Sequence, residues 1–230
     1  MMNPPQQILE LTGPDAAAFA HAQFCNDVLA LADGDWQWNA WLNPQGRVRA
    51  FFRLQRGGPA RIALTLRGGD AEWLRDELLR FVFRAKVQFT VATGMPESTT
   101  LADIRAGLPE IGVELRDQLL PQWIGLDRLG AVSVRKGCYP GQEIMARLHF
   151  KGGNKRSLYR IGWPGDIRPR PGTSLHGADG HPAGVIVLTA SDTANATTEC
   201  LASLNDGSIR QPLRMDAGQA DPIRVLEHFG

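Results

Sequence analysis

Two stretches of strictly alternating character lie a short turn apart in this chain. Residues 36–42, WQWNAWL, put Trp36, Trp38, Ala40 and Leu42 on one face, with Trp41 on the other. Residues 47–54, RVRAFFRL, put Val48, Ala50, Phe52 and Leu54 on one face and Arg47, Arg49 and Arg53 on the other. A period of two is the period of a strand. The link between them, Asn43-Pro44-Gln45-Gly46, is turn chemistry, so a β-hairpin is predicted. An isolated hairpin is marginal in water, so the chain must add further strands and a cover.

The neighbouring sequence supplies both. Residues 8–12 (ILELT) and 61–66 (RIALTL) read as strands, and 85–92 (AKVQFTVA) returns to period two. A helix is expected over GPDAAAFAHAQFCNDV, with Pro14 in its first turn, and a second over 71–82 with Asp70 as its N-cap. Trp73, Leu74, Leu78 and Phe81 sit at helical spacing there, and Asp76 and Arg80 form an i,i+4 pair. The result is an α+β layer. No GxGxxG or P-loop follows a strand, which speaks against a dinucleotide or NTP fold.

Residues 93–98 read as a connection, 100–112 (TLADIRAGLPEIG) as a short helix ending at Gly107 and Pro109, and 131–134 (AVSV) as a strand. After Gly152-Gly153 the texture changes. Short apolar stretches at 158–163, 184–189, 199–204 and 223–226 alternate with Pro171-Gly172, Asp179-Gly180 and Asn205-Asp206-Gly207, the pattern of a small antiparallel β-barrel. The domain boundary is placed near 155, giving domains 1–155 and 156–230.

With 25 Lys and Arg against 24 Asp and Glu, the net charge is +1, which argues against stable binding of bare nucleic acid. Nowhere do about 18 apolar residues run together, so no membrane span is expected. The N-terminus lacks a signal-peptide pattern, and the protein is expected to be cytoplasmic. Cys25, Cys138 and Cys200 have no metal-ligand spacing, so no metal site is expected, and Cys25 and Cys200 read as packing residues.

The densest run of reactive types is Arg135-Lys136-Gly137-Cys138-Tyr139-Pro140-Gly141-Gln142-Glu143. Pro140 suits the first position of a helix running on through IMARLHF, which sets Cys138 just before a helix N-terminus. The macrodipole, Arg135 and Lys136 all favour a thiolate there, while Glu143 opposes it. A plain packing role for the thiol is the alternative. Asn26-Asp27 reads either as a ligand for an amine or as a helix cap and turn. Arg147, His149, Lys151, Lys155 and Arg156 form a basic stretch, suited to a polyanionic tail or to plain solvation. Trp41 is free to stack on a planar ring.

The run KGCYPGQEIMAR closely resembles the KGCYxGQE signature of the YgfZ-type folate-binding proteins, within the superfamily of the glycine-cleavage T-protein. LTGPDAAAFAHAQFCNDV, LNPQGRVRA, LRFVFRAKVQF, LPEIGVELRDQLLPQWIGLDRLGAVSV and GGNKRSLYRI resemble the flanking pieces, so the resemblance covers most of residues 8–163. It implies a body enclosing a folate channel, followed by a barrel. It also implies a tetrahydrofolate-binding accessory protein that supports assembly, repair or maintenance of iron–sulfur enzymes, such as the tRNA methylthiotransferase MiaB. On that resemblance Cys138, Lys136 and Asp27 are the reactive candidates. Tyr139, Gly141, Gln142, Glu143, Trp41 and Arg147 are the candidates for binding folate, with its glutamate tail toward Arg147 and Lys151. The family's folate-associated tryptophans align near Gln6 and Thr99, so no contact is carried to those positions, and Trp41 or Trp123 is left as a stacking platform. A middle segment usual in the family is absent after 85–92, which a homodimer could compensate. The rival readings are a folate-dependent aminomethyltransferase using Asp27 and a folate-free interaction paralogue.

Overall fold

The computed structural model describes residues 5–96, 101–215 and 222–229. In chain order it forms β1 (Pro5–Thr12), α1 (Ala16–Gln23), β2 (Trp36–Leu42), β3 (Val48–Arg56), β4 (Arg61–Leu66), α2 (Ala71–Leu79) and β5 (Gln88–Pro96). Then follow α3 (Leu101–Arg105), α4 (Gln142–Lys151), β6 (Arg156–Pro164), β7 (Ser174–His176), β8 (Pro182–Asp192), β9 (Thr197–Asn205), β10 (Arg214–Met215) and β11 (Arg224–Phe229). The architecture is mixed α and β with two antiparallel sheets. The chain divides into two compact units. One comprises the described residues of 1–98, 111–118 and 129–151, and the other those of 99–110, 119–128 and 152–230.

The first unit is built on a five-stranded sheet in the order β2-β3-β4-β1-β5. The alternation that predicts the hairpin buries Ala50, Phe52 and Leu54 of β3 with Leu9, Leu11, Ile62 and Leu64 of β1 and β4. Phe19 of α1 and Leu74 and Leu78 of α2 cover that face. Trp41 shares it, at 1% exposure, whereas Trp36 is 49% exposed. Trp41, read from the sequence as free to stack on a ring, is thus a core residue. Ala40 and Phe51, paired on the opposite face, are buried too, so both faces of this part of the sheet are covered.

Helix α1 stops at Gln23, five residues short of the expected end at Val28. Phe24 turns extended, bridges Trp41, and is followed by a Cys25 N–H bond to the Ala40 carbonyl at 3.0 Å. Pairing with the β2 edge replaces the helix, and it buries Phe24 edge-on against Phe52 at 4.9 Å. Helix α2 starts as expected, with Asp70 Oδ1 accepting from the Glu72 N–H at 2.8 Å. It ends at Leu79, and Arg80 pairs with Glu77 at 3.1 Å instead of Asp76, which Arg75 holds at 2.8 Å. Strand β5 begins three residues later than expected and takes in part of the supposed 93–98 connection. Residues 131–134 form no strand. A single backbone bond, Ser133 N–H to the Cys25 carbonyl at 2.9 Å, is what remains of that expectation.

The second unit holds a six-stranded sheet in the order β10-β7-β8-β9-β6-β11. Tyr159, Ile161, Trp163, Ile186, Cys200 and Leu204 lead its core. Burial pushes the Cys200 thiol up to about 12, which fits a packing role. Arg105 of α3 reaches the buried carboxylates of Asp192 and Glu199, and Arg160 shares Glu199. The two outer strands approach through one isolated bridge, Leu213 to Ile223. Among the described residues no ladder closes the sheet into a barrel. Nor is any described helix long and apolar enough to cross a membrane.

The Asp70 cap yields a stability test. Asp70→Ala should lower the unfolding free energy by about 1 kcal/mol, read from urea melts, because two first-turn N–H groups lose their acceptor.

Candidate functional site: the loop that carries Cys138

The site begins at the hairpin turn. Asn43 and Arg47 close it through backbone and side-chain bonds of 2.9 Å, and Gly46 takes φ +75°. Against this turn lies Gly141, also left-handed at φ +79°. A Cβ on Gly141 would stand 2.6 Å from the Asn43 carbonyl oxygen and 2.8 Å from the Gly46 Cα. One on Gly46 would stand 2.9 Å from Ile144 Cβ. The two backbones touch, and only glycine permits it. Gly141 also corrects the helix start. A helix cannot run through a left-handed residue, so α4 begins at Gln142, and Pro140 lies in the turn before it. Cys138 therefore precedes the helix by a full turn of loop rather than capping it.

Residues 133–142 are tied into a frame. Ser133 Oγ accepts from the N–H groups of Arg135 and Lys136, each at 3.2 Å. The buried Tyr139 donates its hydroxyl to the Ser133 carbonyl at 3.1 Å, and Gln142 Nε2 donates to the Lys136 carbonyl at 3.2 Å. Burial raises the Tyr139 hydroxyl above its ordinary value and keeps it a donor. Lys136 is 6% exposed, and its ammonium donates to the carbonyls of His21 and Phe24. Those carbonyls end α1, where the helix leaves acceptors without partners and favours a cation. Desolvation nevertheless pulls Lys136 down to about 8, against the pull of Cys25 and Asp27. Between the anchors at Lys136 and Tyr139, Gly137 and Cys138 stand exposed. The loop thus offers a free thiol to solvent from a braced backbone.

The other candidates fall outside that apex. Asp27 Oδ1 accepts from the N–H groups of Leu29 and Ala30, both at 3.1 Å, and lies 3.3 Å from His21 Nδ1. It acts as a loop cap. Burial, and then Lys136, lower the His21 value. Asn26 Nδ2 donates to the carbonyls of Trp38 at 3.1 Å and Gly130 at 2.7 Å, stitching β2 to the approach of the motif. Glu143 and Arg147 are exposed on α4. Trp41 is no open platform: Arg49 covers its face at 4.3 Å, with Trp73 and Phe81 each 6.1 Å away. Trp123 carries Arg156 at 4.7 Å over its ring, Gln6 lies on β1, and Thr99 falls outside the described residues. Among the described residues no three His, Cys, Asp or Glu side chains gather as a metal site.

Sequence reasoning missed Ser133, whose signal is a hydroxyl two and three residues before the N–H groups it binds. It also missed a cleft of about 510 Å³ beside the hairpin turn, lined by Asn43, Pro44, Arg49, Glu77, Arg80, Phe81, Phe83 and Asp117. Arg49 is held in it by Glu77 at 3.0 Å and Asp117 at 3.4 Å.

No family model matches the chain. It is 26% identical over 194 residues to an uncharacterized protein of Haemophilus influenzae, covering 66% of this chain and 69% of that one. It is 44% identical over 73 residues to the tRNA-modifying protein YgfZ of Cronobacter sakazakii, a match over 32% of this chain but only 22% of that protein. Its fold matches the glycine cleavage system aminomethyltransferase T of Bartonella henselae with a TM-score of 0.66, at 13% identity, over 96% of this chain and 83% of that one. The chain is YgfZ-like, with the aminomethyltransferase T fold.

Within the YgfZ-like motif, two glycines separate by role. Gly141→Ala should destabilise the protein by about 1–3 kcal/mol in urea melts, from left-handed strain and the clash with Asn43. Gly137→Ala, with nothing within 4 Å of its Cβ, should stay within about 0.5 kcal/mol of wild type. Lys136 gives a pH test. Its folded value of about 8 lies below the ordinary 10.5, so the unfolded chain holds the proton more tightly and stability rises with pH between the two. Wild type should gain about 3 kcal/mol on Lys136→Met across that window, with a flat difference below it. Melts at stepped pH measure this, and a falling difference there contradicts it.

Proposed function

We propose that this chain is a folate-binding accessory protein that supports assembly, repair or maintenance of iron–sulfur enzymes, tRNA-modifying ones among them, and acts through Cys138. The observation that carries the reading is the braced loop. Four motif residues, Lys136, Tyr139, Gly141 and Gln142, are committed to holding its shape, and Cys138 is left accessible at the apex. A frame of that kind is superfluous for a packing cysteine and useful for a thiol that must meet another molecule. The relative named a tRNA-modifying protein supports the choice of client class.

The folate part rests on the cleft. Its volume of about 510 Å³ falls in the range of small-molecule sites. Phe81 and Phe83 offer apolar surface to a planar ring, and Arg49 and Arg80, paired there with Glu77 and Asp117, give the cleft a mixed-charge polar side. Arg147 and Lys151 on α4 are exposed cations suited to a glutamate tail. When bound, a reduced folate would supply a nitrogen able to carry a one-carbon unit. In this reading the ligand-binding and motif functions belong to residues 1–155, and residues 156–230 form a cytoplasmic protein's second domain. Its sheet curls toward a barrel, as the Leu213 to Ile223 bridge between the two outer strands favours.

Direct aminomethyl transfer is the weaker reading. It needs a carboxylate free to meet the folate nitrogen, and Asp27 is engaged by two backbone N–H groups and His21. The deciding experiment is complementation of cells lacking the protein, scored by the activity of an iron–sulfur tRNA-modifying enzyme. Cys138→Ser should fail while melting like wild type, and Asp27→Asn should complement. Full rescue by the serine variant removes the thiol from the mechanism. Calorimetry with tetrahydrofolate tests the ligand separately: binding should be weakened by Phe83→Ala, and no heat from wild type would leave an interaction protein without folate.

A further inference from the structure

The second unit carries a small cavity of its own. Strand β6 sets Gly162 opposite Glu199 of β9 on one side and opposite Arg224 of β11 on the other, so the three positions share one face of the sheet. Pro164 and its partner Thr197 lie two residues further along that face. The register of β11 shifts between Val225 and Glu227, which makes Leu226 the extra residue of a bulge. A bulge re-aims a side chain. Here Leu226 leans over the glycine: a Cβ on Gly162 would stand 3.0 Å from Leu226 Cδ1. These residues, with Trp163 and Thr198, enclose a cavity of about 220 Å³.

Two charged groups line it, and they differ. Glu199 is 7% exposed, and its carboxylate is already engaged: Oε1 accepts from Arg105 Nε at 3.2 Å, and Oε2 from Arg160 Nη1 at 3.4 Å. Arg224 is exposed, and its guanidinium has no partner among the described residues. Beside it Pro164 is exposed and Leu226 is 45% exposed. The cavity therefore presents an apolar wall and an uncommitted cation at the same place. Its volume lies below the roughly 300–1,000 Å³ of sites for drug-sized ligands.

We propose that this cavity binds a small carboxylic acid with a compact apolar body, its carboxylate on Arg224 and its apolar part over Gly162 between Pro164 and Leu226. Charge selects the anion. Glu199 is neutralised by two arginines, so the charge left to meet a ligand is positive, and a guanidinium fork matches a carboxylate in shape. The apolar walls reject a fully polar anion, which would gain nothing from leaving water there. The missing side chain of Gly162 leaves the floor open to the body of the ligand. The volume limits that body to about one side chain. The proposal does not depend on folate or on Cys138, which belong to the first unit's chemistry.

Titration of the full chain with phenylacetate, followed by amide NMR shifts, tests it. Saturable shifts should centre on Gly162, Thr198 and Leu226. Phenylacetamide, the same shape without the charge, should bind about tenfold more weakly or worse. Arg224→Gln should weaken phenylacetate by a similar factor while melting like wild type, since the side chain is exposed. Arg224→Glu should lose phenylacetate and take 2-phenylethylammonium instead. A peptide ending in phenylalanine should bind no better than phenylacetate, because the cavity has no room for a second residue. No shifts at those amides up to the solubility limit overturns the proposal, as does equal binding of acid and amide, or an Arg224→Gln variant that binds like wild type. Markedly tighter binding of the peptide overturns the small acid as the ligand.

Discussion

Gly46 and Gly141 meet backbone to backbone, and much of the first unit is organised by that contact. The hairpin turn presents a surface of bare peptide, and the motif loop lies on it with no side chain between. Once Gly141 is pinned, α4 must start after it. The loop before it must then run back past the end of α1, where the Lys136 ammonium finds the helix's last carbonyls. Tyr139 and Gln142 close the frame around the same loop. Cys138 is exposed because every neighbour that could turn inward has already done so.

The frame stores opposing energies. Burying the Lys136 ammonium is unfavourable, as its lowered value of about 8 records, and the helix terminus offsets part of that through two charge-assisted bonds. The truncation of α1 at Gln23 belongs to the same arrangement. Phe24 leaves the helix to pair with β2, and its carbonyl becomes available to the lysine. One change of backbone direction thus seals a sheet edge, completes the core against Phe52 and supplies an acceptor for the motif. Among the described residues the opposite edge, β5, pairs only with β1.

Much of this is legible in the residues. Strand β4 can be read to the residue, the hairpin and its turn are evident from period two and Asn-Pro-Gln-Gly, and the Asp70 cap is visible as a short acceptor before an apolar repeat. The weight of the 135–143 run is legible too, from its density of reactive types. Other expectations fail for local reasons. The helical pattern from Ala16 onward continues past Gln23 in sequence, but Phe24 gains more by pairing with a strand that lies later in the chain. Pro140 promises a helix start that Gly141 forbids. The cleft cannot be seen, since Asn43, Arg49, the 77–83 stretch and Asp117 come from separate parts of the chain.

The sequence by itself determined the repeating elements, the turns and the motif, because these follow from periods and local backbone preferences. Only the tertiary structure decided what each motif residue does. Lys136 lies 115 residues from His21, and no spacing rule links an ammonium to a carbonyl so distant. Trp41 packs into the core beneath the two helices, a fact that alternation alone does not contain. The sealing of the β2 edge was likewise settled by where the chain turns after α1, a long-range packing outcome rather than a local preference.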